Sequence, residues 1–265
     1  MTTFKITLAY DGTGFVGWQR QASGTSIQGL LEDALRELDE RDVAVIGAGR
    51  TDAGVHALGQ VAGFSLVRTI AADTVVRALN ARLPSTVRVL AAIEVPDTFH
   101  ARFHARVKTY RYRIWTGEVL SPFERDAVWH AVGALDVGQM AAAARIVTGR
   151  HDFAAFQASG GVTRTTEREV FSSGIVSERS GAGGELGSGH GGALHAGHDG
   201  ELITYEITGN GFLRHMVRNI VGTLVEVGRG RRPAAWMGEV LASRDRARAG
   251  PTAPSAGLFL VSVEY

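Results

Sequence analysis

The chain has 265 residues, 45% of them hydrophobic and 21% charged, with a formal net charge of +1. That balance describes one large folded domain or two small ones, excludes the low-hydropathy, high-charge class that stays unfolded, and by itself names no partner. There is no cysteine, which excludes disulfides, thiolate metal sites, iron–sulfur clusters and a cysteine nucleophile, and leaves carboxylates, hydroxyls, His and Lys to carry chemistry.

The N-terminal stretch has no basic segment followed by a long apolar run, so Phe4 to Tyr10 reads as an alternating strand and not as a secretion signal. No apolar run approaches the ~20 residues of a membrane span, so the expected address is the cytoplasm. Thr25-Ser-Ile-Gln28 has the form of a capping box that opens a helix with Ile27, Leu30, Leu31, Ala34, Leu35 and Leu38 on one face. Val43 to Gly47 and Gln60 to Val67 read as two strands. Asp73 is placed to cap a helix through Val75, Val76, Leu79 and Leu83, and Val87, Val89, Ala91, Ile93 and Val95 alternate as a fourth strand. The order βαββαβ is the split-βαβ, ferredoxin-like plan.

The second half repeats that plan more loosely. Expected are a strand from Val107 to Trp115, a helix capped by Asp136, strands near Arg164 to Val176 and Glu201 to Thr208, and a helix from about Gly211 to Val227. A helix started by Pro233 and a closing strand Leu258 to Glu264 follow. The expected fold is therefore α+β, with two ferredoxin-like halves, residues 1–106 and 107–265, whose mainly antiparallel sheets flank a basic cleft. Ser180 to Gly200 departs from the pattern, being dense in Gly with His190, His195 and His198, and reads as a mobile hairpin loop. Those histidines lack an acidic or cysteine partner at fixed spacing and sit on a backbone that cannot preorganise them, so no metal site is expected.

Gly12-Thr-Gly14-Phe-Val-Gly17 is a literal G-x-G-x-x-G after the first strand. A dinucleotide site would need the third glycine in the first turn of a helix and an acid ending the next strand. Trp18 to Gly24 intervenes before helical periodicity begins, and the second strand ends in Ile46-Gly47. The motif therefore reads as a turn that lets the backbone and Trp18 pack closely, and no nucleotide cofactor is expected.

Thr98 to Gly117 carries Arg102, Arg106, Lys108, Arg111 and Arg113 without one acid, interleaved with Phe99, Phe103, Tyr110, Tyr112 and Trp115. Arg214, Arg218, Arg229, Arg231 and Arg232 form a second basic group, diluted only by Glu226. Cations among aromatics suit a phosphate backbone with unstacked bases, against the alternative of a solvated surface. Arg102, Arg106, Lys108 and Arg214 are thus candidate substrate-binding residues. Ala48 to His56, a glycine-bracketed polar loop between apolar strands, is by itself a turn with an Asp in it.

The string Gly-Arg-Thr-Asp52-Ala-Gly-Val-His-Ala, however, resembles residue for residue the active-site loop of the TruA family of tRNA pseudouridine synthases. Further blocks resemble that family in order: Tyr10 to Gln19, Ser26-Ile-Gln-Gly, Phe99-His-Ala-Arg-Phe, Lys108-Thr-Tyr-Arg-Tyr, His151-Asp-Phe, Gly211 to Asn219 and Thr252 to Leu258. The glycine- and histidine-rich insert is not part of the pattern. The resemblance implies isomerisation of uridine to pseudouridine in the anticodon stem-loop of tRNA, at positions 38, 39 and 40, by a cofactor-free homodimer. It implies Asp52 as the catalytic carboxylate, Tyr110 as the ring that stacks on the target base, Arg218 as the partner of the carboxylate and Arg50 as an aid in displacing the base.

A carboxylate suits the task of breaking the C1′–N1 bond and rejoining the base through C5, whether by attack at C6, attack at C1′ or removal of a ribose proton; the residues do not choose among these. Base flipping is expected because the target uridine is stacked. The competing readings are a non-catalytic RNA-binding module, for which Asp52 is dispensable, a dehydrogenase, which predicts nicotinamide binding, and a carboxylate glycosidase, which needs a second carboxylate that the sequence does not place near Asp52.

Overall fold

The structure is a computed structural model, and it describes residues 1–160, 163–180 and 199–265. The chain forms two compact units, one of Met1–Lys108 with Phe259–Tyr265 and one of Thr109–Leu258. Both mix helices with mostly antiparallel strands, as expected of an α+β chain. No helix among the described residues is long and apolar enough to cross a membrane. The expected loop with His190, His195 and His198 lies outside the described residues; the strands on either side of it pair antiparallel up to Ser180 and Gly200.

In the first unit the strands run in the order β4 (Val87–Val95), β1 (Thr2–Tyr10), β3 (His56–Leu66), β10 (Leu258–Glu264), with β2 (Ile46–Gly47) also on β3. Phe4, Ile6, Leu8 and Tyr10 alternate into the core of this unit. Helix α1 (Ile27–Asp39) buries Ile27, Leu31, Ala34, Leu35 and Leu38, and α2 (Ala72–Arg82) buries Val75 and Leu79. β10 joins in parallel, with Phe259 opposite His56 and Leu260 opposite Ala57.

Four local expectations are corrected here. The cap of α1 is Ser26, whose hydroxyl accepts from the Gly29 amide at 3.1 Å, because the Thr25 carbonyl is already committed to the Val16 amide. Asp73 does not cap α2; it lies inside the first turn, where its carboxylate takes the Arg77 guanidinium. Along β4 the alternation breaks, since Val87 and Val89 are buried while Ala91 and Ile93 are exposed. The register against β1 slips between Thr7 and Leu8, and one extra residue reverses which side chains face inward. Of the expected strand Val43 to Gly47 only Ile46–Gly47 pairs, although Val43 and Val45 are buried.

The second unit orders its strands β5 (Val107–Trp115, most of it in this unit), β9 (Gly200–Gly209), β8 (Glu167–Ser180), β7 (Gly149–Asp152), with the short β6 (Trp129–His130) alongside β5. Helix α3 (Val137–Ile146) is capped as expected by Asp136, whose carboxylate accepts from the Gln139 amide at 2.9 Å. Helix α4 (Met216–Gly228) is the centre of the unit, with eleven of its thirteen residues buried. It starts later than expected because Gly211 to Arg214 is a loop and His215 takes a left-handed conformation, φ 60°. Helix α5 (Trp236–Ser243) opens from a turn at Pro233, where the Pro233 carbonyl accepts from the Trp236 amide.

Candidate active site

The loop between β2 and β3 carries Arg50, exposed, and Asp52, half-buried, and is fixed from both sides by a polar network under it. The Tyr10 hydroxyl, at the end of β1, lies 2.8 Å from the Thr51 hydroxyl, and Thr51 is buried. Gln60, fully buried on β3, donates to the Gly49 carbonyl at 3.0 Å and to the Tyr10 hydroxyl at 3.4 Å. The Thr51 carbonyl accepts from the Trp18 amide, and the Val55 amide closes the turn onto the Asp52 carbonyl at 3.1 Å. Lys108 also reaches this loop, its Nζ donating to the Ala48 carbonyl at 2.7 Å. Burial pushes the Tyr10 phenol up to about 12, against the lowering pull of its bonds to Thr51 and Gln60, so the ring stays neutral wherever the protein is folded at ordinary pH.

The glycine motif belongs to the same construction. A Cβ on Gly12 would collide with the Val55 carbonyl, and one on Gly17, which has φ +102°, would lie 2.6 Å from the Thr51 carbonyl oxygen. Gly12 and Gly17 therefore form the backbone surface on which the Asp52 loop rests, Gly14 facing open space, and Trp18 packs against Gly47. His56 ends the loop. Its Nδ1 accepts from the Gly12 amide at 3.0 Å and lies 3.1 Å from an Asp11 carboxylate oxygen, and its ring stacks on Phe259 with centroids 4.6 Å apart. Burial works to raise the Asp11 carboxyl, but its bonds from Thr13 and the neighbouring His56 outweigh that and hold it below the usual carboxylate range. The His56 Nε2 is buried without a hydrogen-bond partner among the described residues.

In the second unit, Tyr110 and Tyr112 share one face of β5, as alternation requires, and their surroundings differ. Tyr112 is fully buried, donates to the Pro254 carbonyl at 2.7 Å, and has its phenol pushed far up by burial despite the nearby Arg218 charge. Tyr110 is 8% exposed and meets Phe212 edge-on at 5.1 Å. Arg218 is half-buried on α4, and its Nε donates to the Ala253 carbonyl at 2.7 Å, while the Ala253 amide donates back to the Arg218 carbonyl. Arg214 precedes the helix, so it is not one helical turn from Arg218 as the sequence suggests; it is exposed and donates to the Ser159 carbonyl. Arg102 and Arg106 are exposed, in the first unit.

The segment Thr252 to Leu258 is locked onto α4 by a second buried network. Asn219 accepts from Thr252 at 2.6 Å and from Arg246 at 3.1 Å and donates to the Phe156 carbonyl, while Thr223 accepts from the Gly250 amide. Gly222 leaves room for the Pro251 carbonyl, which a Cβ would overlap. A polar hollow of about 210 Å³ in this unit is lined by Arg150, Thr165, Glu167, Arg168, Glu169 and Asn210, and none of the expected site residues lines it.

Sequence reasoning passed over Tyr10, Gln60 and His56 as parts of the site. The available signals were a Gln inside an otherwise apolar strand and a His on the boundary between loop and strand.

A profile of the tRNA pseudouridine synthase family matches residues 6–104 and 143–265. The chain is 44% identical over 265 residues to tRNA pseudouridine synthase A of Myxococcus xanthus, covering all of this chain and 92% of that protein. It is 45% identical over 271 residues to the protein of that name from Solidesulfovibrio magneticus, again over all of this chain and 92% of the other. With the protein of that name from Solibacter usitatus it shares 43% over 268 residues, spanning both chains fully. The chain belongs to the tRNA pseudouridine synthase family.

Proposed function

We propose that the protein isomerises uridine to pseudouridine in the anticodon stem-loop of tRNA, at positions 38, 39 and 40, with Asp52 as the catalytic carboxylate. The observation that carries the reading is full-length relatedness to proteins named tRNA pseudouridine synthase A, in a chain whose Asp52 loop is fixed on both sides by buried hydrogen bonds. The C1′–N1 bond breaks, the detached base turns, and a C1′–C5 bond forms; the C5 proton is lost and N1 gains one, so no atom or electron is left over. A redox-neutral isomerisation of this kind calls for no cofactor.

Within this reading Tyr110 stacks on the target base, Arg218 pairs with the carboxylate and Arg50 assists in displacing the base, while Arg102, Arg106, Lys108 and Arg214 bind the RNA backbone. The halves 1–106 and 107–265 are read as ferredoxin-like, flanking a basic cleft; the strand order β4-β1-β3 with β2 on β3 supports this for the first. A cytoplasmic homodimer completes the reading, by resemblance to the family.

The test is purified protein with an unmodified tRNA transcript, without added metal or nucleotide, followed by mapping of pseudouridine. Conversion at 38, 39 or 40 is expected, and conversion only elsewhere in the tRNA, or none, overturns the assignment. Arg218→Lys is expected to lower kcat more than tRNA affinity; a defect mainly in binding, with strong salt sensitivity, would place Arg218 on phosphate.

A further inference from the structure

Five aromatic residues are interleaved with the cations of the run Thr98–Gly117, and the structure separates them. Tyr112 and Trp115 are fully buried, Tyr110 is 8% exposed and Phe99 is half-buried against Tyr265, at 5.1 Å between centroids. Phe103 alone of the five lies on the surface, 73% exposed.

Its position is built. The His100 ring stacks on it at 4.2 Å and 28°, and the same ring's Nδ1 accepts from the backbone amides of Arg102 and Phe103, both at 3.2 Å. The Arg102 guanidinium lies 5.7 Å from the ring centroid. The turn beneath is tied down at both ends. Tyr265 donates its hydroxyl to the carbonyl of the buried Ala101 at 2.7 Å, and the Arg106 amide donates to the Glu264 carbonyl at 2.8 Å. A large apolar ring left in water forfeits the gain of burial, and here its place is fixed, with the His100 ring stacked on it and one cation, Arg102, over it.

An exposed ring with a guanidinium against it is an arrangement that single-stranded nucleic acid uses, since every base has a face to stack and a phosphate to neutralise. Phe123, 81% exposed, is the contrast: its neighbours Glu124 and Asp126 are each paired with an arginine, so the charge around it is already compensated.

We infer that Phe103 is a base-stacking subsite for an unstacked nucleobase of the RNA, with Arg102 and Arg106 on the adjoining phosphates. The inference rests on the RNA-modifying reading above and adds to it a contact made by a residue outside the Asp52 loop.

The experiment compares Phe103→Ala, Phe103→Leu, Phe103→Trp and Phe123→Ala for binding to an unmodified tRNA transcript at fixed salt, with sedimentation to follow oligomeric state. Stacking predicts that Phe103→Ala and Phe103→Leu weaken Kd by roughly 5- to 100-fold, that Phe103→Trp stays within about threefold of wild type, and that KM moves more than kcat. Phe123→Ala should leave Kd unchanged. A Phe103→Leu protein that binds like wild type, or a Phe103→Ala protein that changes oligomeric state, would overturn the inference in favour of an apolar contact with a second copy. If wild type binds tRNA and all three Phe103 variants match it, the inference fails alone. If wild type itself does not bind tRNA, the RNA reading fails with it.

Discussion

The Asp52 loop and the α4 region solve opposite problems. Around α4 nearly every residue is buried, and polar groups such as Asn219 and Thr223 serve to clamp the Thr252–Leu258 segment onto the helix. Around Asp52 the chain is at the surface, and buried polar groups, Tyr10 and Gln60, hold an exposed loop from beneath. The first region shows how a helix is placed by packing, the second how a half-buried carboxylate on a loop is held in place by buried hydrogen bonds beneath it. Substitutions in the first should therefore cost stability first, and those in the second should cost turnover out of proportion to stability.

The largest expected stability effect is Gly222→Ala, whose methyl would overlap the Pro251 carbonyl with backbone on both sides. A loss of about 3 kcal/mol or more is expected in denaturant unfolding. A near-neutral variant would mean that the 250–253 segment is not clamped. Asn219→Ala comes next, since it strands Thr252, Arg246 and the Phe156 carbonyl, and should cost roughly 2–3 kcal/mol.

On the other side of the comparison, Tyr10→Phe removes the Thr51 bond for about 1 kcal/mol at neutral pH. Turnover of tRNA should fall about tenfold or more, because the side chain of Thr51, next to Asp52, then loses its buried partner. Equal small losses in rate and stability would erase the distinction between the regions. This variant also has a pH signature. The folded phenol is raised to about 12 from an unfolded value near 10 because burial penalises its ionised form, so the fold keeps its full stability below pH 10 and loses it as pH rises toward 12 and the unfolded chain ionises first. That amounts to roughly 3 kcal/mol, and Tyr10→Phe should flatten the corresponding part of the alkaline stability curve. The smallest effect belongs to Arg111→Ala, which breaks an exposed pair with Glu206 at 2.9 Å and should change stability by less than about 1 kcal/mol.

Much of the architecture was readable where one pattern decided it. The bounds of β5 and β10 follow from alternation, and Asp136 announces the start of α3 three residues before the amide it caps. The start of α4 was not readable, because periodicity runs back through Gly211 while a left-handed His215 stops the helix. The bulge in β4 was equally invisible, since a register slip is a property of two strands together. At the site, Asp52 stood out through the string around it. Its supports did not, because Tyr10 and Gln60 meet across fifty positions of sequence and a buried polar pair leaves no local trace. The glycine turn was read correctly as packing, yet that it packs against the Asp52 loop itself emerged only from the contacts of Gly12 and Gly17.

Asp52, proposed to carry the chemistry, sits on a loop held from beneath by Tyr10 and Gln60. Single-turnover formation of pseudouridine in an unmodified tRNA transcript by Asp52→Asn protein tests that role most directly, with tRNA affinity and thermal stability measured on the same sample. A folded Asp52→Asn protein that binds tRNA and forms no pseudouridine is the expected result. Pseudouridine appearing at the wild-type rate would contradict it.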